Sequence, residues 1–73
     1  MDTVCLLLHA PRQNIVLLCS IIEGYEGMAI LRTVNAAQGL LELLVAPAFR
    51  DTALSLLRAL AYEMDVHVID TNQ

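Results

Sequence analysis

No lysine and no tryptophan occur among the 73 residues of this chain, and its only cations are Arg12, Arg32, Arg50 and Arg58. Eight acids outnumber them and leave a net charge of −4. A nucleic-acid partner needs a basic patch to neutralise phosphates, and four scattered arginines do not make one. Cysteine is as scarce: Cys5 and Cys19 form no Cys-x-x-Cys, so neither a disulfide framework nor a redox motif is present. With two histidines they give no recognisable ligand spacing, and neither a metal nor another cofactor is expected. Long apolar runs are missing too. Gln13 to Ile22 is uncharged but far short of the roughly 20 residues of a spanning helix, and Thr33 to Leu41 is shorter and carries Asn35, Gln38 and Gly39. Met1-Asp2-Thr3 lacks the basic start of a signal peptide. The expectation is a cytoplasmic protein that does not enter membranes, where free thiols stay reduced.

What is present is aliphatic. Apolar residues make up 58% of the chain, above the usual 45–50% or so. A domain this small buries only about 60% of its unfolded surface, so much of that apolar content must stay outside a monomer's core. We therefore expect a homo-oligomer, a dimer in the simplest case.

Thr3 to His9 is a short apolar run with no helix cap, and it reads as a buried strand. Val4, Leu6 and Leu8 point one way, Cys5, Leu7 and His9 the other. Pro11 suits a helix start. Ile15, Leu18, Cys19 and Ile22 then form a helical stripe, and Gly24 is placed as the left-handed terminator. Met28–Val34 and Leu40–Ala46 read as a hairpin around the loop 35–39. Centred on Ala37, it sets Arg32 opposite Glu42, with Val34 opposite Leu40. Pro47 opens a second helix to about Met64, with Phe49, Ala53, Leu56, Leu60 and Met64 inward. Met28 and Tyr62 join Phe49 and Met64 as core fill. Val66–Asp70 reads as a last strand before a polar tail.

The order βαββαβ is the ferredoxin-like plan: an α+β domain over residues 1–73, a four-stranded antiparallel sheet of order 4-1-3-2, and two helices on one face. The second sheet face is then bare. Cys5, Leu7, Ile30, Val34, Leu40, Glu42 and Leu44 fall on it and are the candidate interface residues, through the face or an edge of the sheet.

The string Glu23-Gly24-Tyr25-Glu26-Gly27, with Arg32-Thr33 and Pro47-Ala48-Phe49 after it, resembles a short bacterial family of unknown function (domain of unknown function 4911). The resemblance implies no activity. In plan the chain is similar to ACT-type regulatory domains, which pair through their sheets and often bind amino acids. His9-Ala10-Pro11-Arg12 has their proline at the first strand–helix loop without the glycine that follows it there. Acylphosphatase shares the plan too, with Arg12 and Asn35 as nominal counterparts of its arginine and asparagine, but its glycine-rich loop is absent.

Two places are candidate ligand sites. The helix start carries Arg12, Gln13 and Asn14, whose free N–H groups suit an anion. The turn carries Glu23, Tyr25 and Glu26, with Arg32 as the nearest cation to offset two carboxylates at a helix C-terminus. The plainer reading of the turn is a helix terminator. Cys5, His9 and His67 are the nearest approach to a metal set, and packing explains them as well. No nucleophile–base pair is legible. The expected function is a non-enzymatic homo-oligomeric interaction module; the alternative is an ACT-like domain that binds an amino acid or small anion at a subunit boundary.

Overall fold

Alternation of leucine and valine with half-buried residues organises the molecule. A computed structural model describes residues 3–25 and 27–72; Glu26, one of the candidate ligand residues, lies outside them. Six elements follow in order: β1 (Val4–His9), α1 (Arg12–Glu23), β2 (Ala29–Asn35), β3 (Leu40–Val45), α2 (Arg50–Leu60) and β4 (His67–Asn72), with a 3-10 turn at Pro47–Phe49 before α2. Neighbours in the sheet run β2-β3-β1-β4 and all pair antiparallel. Counted from the other edge, that is β4-β1-β3-β2. The α+β class, the antiparallel sheet and the two helices follow the sequence reading.

The core lies on one side of the sheet. Val4, Leu6 and Leu8 of β1 and Leu41, Leu43 and Val45 of β3 are buried, and they cluster with Leu18 and Ile22 of α1 and Ala53, Leu57 and Leu60 of α2. Both helices therefore cover the same face. Each leucine taken fully out of water contributes about 1.5–3 kcal/mol. Alternate residues of the same strands, Cys5, Leu7, Leu40, Glu42 and Leu44, are only half-buried, because none of the described residues forms a layer over them.

Several expectations are corrected. Gly24 is right-handed at φ −68°, and its N–H reaches the Ser20 and Ile21 carbonyls, so α1 ends without a left-handed residue. The left-handed glycine of this turn is Gly27, at φ +79°. α2 stops at Leu60 and the chain turns over 61–64, which leaves Tyr62 89% exposed rather than in the core. Phe49 sits in the 3-10 turn ahead of the helical phase and is exposed as well. Thr71 and Asn72 extend β4 instead of forming a tail.

Gly39 anchors the hairpin. It adopts φ +68°, and a Cβ there would lie 2.3 Å from the Ala10 carbonyl oxygen. The Ala10 N–H in turn donates to the Gly39 carbonyl at 2.9 Å. Asn35 accepts from the Gln38 N–H through its side chain, which closes a four-residue loop. One residue must then be absorbed in β2. The ladder shifts between Thr33 and Asn35, and Asn35, not Val34, stands opposite Leu40.

Candidate functional site

The uncovered face of the sheet is the candidate site, and strand register builds it. Residues directly opposite in antiparallel strands share a face. Arg32 faces Glu42, Glu42 faces Leu7, and Leu7 faces Asp70, so one row crosses all four strands. Beside it run Ile30, Leu44 and Cys5 on one flank, and Leu40, His9 and His67 on the other. Ile30 is 65% exposed and Val34, in the bulge, 56%. An open cleft of about 430 Å³ continues this face at the start of β2, lined by Gly27, Met28, Ile30, Leu44 and Pro47 among others.

The centre of the row is held by Glu42. Arg32 donates through Nε at 3.1 Å and through Nη2 to one carboxylate oxygen. The Cys5 thiol donates to the other at 2.9 Å. The thiol bond, followed by the guanidinium, keeps the Glu42 carboxyl below its ordinary range. That same hydrogen bond, partial burial and the nearby carboxylate push the Cys5 thiol upward. A thiol so placed is a donor and a poor nucleophile. The expected Arg32–Glu42 pairing is therefore present, with a third member that side-chain pattern did not announce.

Arg32 is thus engaged on the open face and does not offset Glu23, whose turn lies at the end of α1. Glu23 and Tyr25 are exposed. The Tyr25 carbonyl accepts from the Met28 N–H, so the turn also delivers the chain into β2. At the other end of α1, Arg12 and Gln13 are exposed, while Asn14 donates to the Asp65 carbonyl at 3.3 Å and ties the helix start to the segment before β4. No side chain caps this start. A helix of α1's length separates Arg12 from Glu23 by roughly 16 Å, so the two candidate ligand groups do not meet within one chain.

His9 and His67 are register partners, as the metal reading required, but Cys5 is four residues along β1 from His9. Extended backbone sets them about 13 Å apart. Among the described residues no cluster of three or more histidine, cysteine or acidic side chains is placed to hold a metal ion. No helix among them is long and apolar enough to cross a membrane. Asp70 is the residue of this face that sequence reasoning missed. Its position depends on the irregularity in β4 between the partners of Leu7 and Leu8, which leaves Ile69 outside the pairing.

A family model described as Domain of unknown function (DUF4911) matches residues 8–64, from the end of β1 to the turn after α2. No curated protein and no solved structure matches the chain.

Proposed function

The chain belongs to the family of that description, and we propose that it is a non-enzymatic, ferredoxin-like interaction module that forms a homodimer through the open face of its sheet. The exposed Ile30 and Val34, beside half-buried Leu7, Leu40 and Leu44, support this reading above all. An aliphatic surface of this extent, with its central Glu42 already paired, is the composition of an interface rather than of a solvated face. Glu42 accepts from the Cys5 thiol and from the Arg32 guanidinium, so it can be covered without leaving an unpaired carboxylate. The free thiols suit a cytoplasmic setting.

Light scattering coupled to size exclusion, over a wide range of loading concentration, tests the proposal. The native chain should run as a dimer, and Ile30→Glu or Leu44→Glu should give a folded monomer, since each places an unpaired carboxylate inside the contact. A native chain that stays monomeric at the highest concentration refutes the reading. So does a dimer that tolerates both substitutions.

A further inference from the structure

The row Arg32–Glu42–Leu7–Asp70 carries more than an apolar surface does, because its charges are asymmetric. It begins with a cation at the β2 edge and ends with an anion at the β4 edge. Three strand spacings, about 14 Å, separate the two ends. That is too far for Arg32 to reach Asp70 in its own chain, and the guanidinium is already turned to Glu42. Asp70 is exposed, and among the described residues its carboxylate accepts locally, from the Thr71 N–H.

Two copies meeting face to face with their strands aligned have two symmetric choices. A two-fold axis across the strands lays every residue of the row on its own copy: Arg32 on Arg32, Glu42 on Glu42 and Asp70 on Asp70. Those are all like-charge contacts. An axis along the strands reverses the row instead. Arg32 then faces Asp70 of the partner subunit at one edge, and the same pair recurs at the other. In the middle Glu42 meets Leu7 of the partner subunit, its charge already answered by Arg32 and the Cys5 thiol. Sheets packed about 10 Å apart bring long side chains from the two faces together.

We infer that the partner of the open face is a second copy of this chain, related by a two-fold axis along the strands and fixed by two reciprocal Arg32–Asp70 pairs. This rests on the homodimer reading and adds its geometry. Opposed like charges across an interface are strongly unfavourable, and each tenfold weakening is about 1.4 kcal/mol.

Charge exchange tests the inference, read as the dimer dissociation constant, with circular-dichroism melting to verify folding. Asp70→Arg should weaken the dimer at least about tenfold at each of two symmetric contacts, roughly a hundredfold in all. The substitution also makes the acidic chain less negative, which by itself favours association, so weakening would report the local contact. Arg32→Asp should weaken it more, because it also takes the guanidinium from Glu42 and sets a carboxylate opposite it. The double variant Arg32→Asp, Asp70→Arg should bind itself clearly more tightly than Arg32→Asp alone, since both have lost the Arg32–Glu42 pair and only the double restores the contacts between subunits with signs exchanged. A native dimer that is indifferent to Asp70→Arg overturns this geometry and leaves the dimer standing. Single variants that weaken without rescue in the double overturn it as well. A native monomer overturns the dimer and the geometry together.

Discussion

Leu6 and Leu7, or Leu43 and Leu44, are the same residue one step apart in a strand, and they end in different environments. Leu6 and Leu43 are wholly buried beneath the two helices, while Leu7 and Leu44 are left half-covered on the other side of the sheet. For these leucines side-chain chemistry does not separate the two faces; cover does. Two helices can shield only one face, and among the described residues no third layer lies over the other. The proposed association would use, on the open side of a half-covered sheet, the same residue types that make the core on the other.

The comparison breaks most readily at β3. Leu43→Ala should destabilise the fold by about 2–5 kcal/mol, because it empties space inside the helix-covered cluster. Leu44→Ala should cost under about 1 kcal/mol in dilute monomer and show its main effect as weaker association. Urea denaturation at low protein concentration, paired with light scattering at high concentration, separates the two quantities. Equal destabilisation by both substitutions would mean that the open face is packed within the monomer after all.

Two glycines sharpen the contrast between crowded and open positions. Both are left-handed, but Gly39 lies against the Ala10 backbone whereas a Cβ at Gly27 meets nothing within 4 Å. Gly27→Ala should therefore cost only the dihedral strain, about 1–2 kcal/mol. Gly39→Ala should cost clearly more, since backbone cannot step aside as a flexible side chain can. Thermal melts of the two variants decide this, and a smaller shift for Gly39→Ala would show that the hairpin loop moves freely off β1.

Periodicity alone makes the covered face legible in the sequence. Leucines at every second position of two strands, with an apolar stripe in the first helix, leave few ways to assemble a 73-residue domain. The Arg32–Glu42 pair was legible too, because opposite charges at matched distances from the hairpin loop fix its register. Both irregularities of the sheet escaped. Val34 is displaced by the way Asn35 and Gly39 close the loop, and Ile69 by a shift in β4, and neither depends on hydrophobic pattern. The second shift is what brings Asp70 opposite Leu7. The candidate ligand residues were placed correctly along the chain, Arg12 at the start of the first helix and Glu23 at its end, and the length of α1 is what keeps them apart.

Acid titration gives the finest test of the difference between the faces. Among the described residues no polar or charged side chain is buried in the helix-covered core, so that face contributes little to pH dependence. The open face holds Glu42, whose carboxyl is depressed by the Cys5 thiol and the Arg32 guanidinium. A depressed carboxyl binds its proton less readily in the folded chain than in the unfolded one. Its contribution is therefore complete above the ordinary carboxylate range, and it is lost as pH falls from that range through the lower folded value. Cys5 behaves in the opposite sense: its raised thiol contributes fully below the ordinary thiol value and loses that contribution as pH rises through the folded one. Glu42→Gln should remove the first effect outright, so its stability should fall less steeply than that of the native chain on the acid side. Urea midpoints collected from neutral to acid pH measure this slope. Parallel slopes in the two proteins would place the acid sensitivity in other carboxylates, and would leave the Cys5–Glu42–Arg32 cluster as geometry without an energetic signature in the monomer.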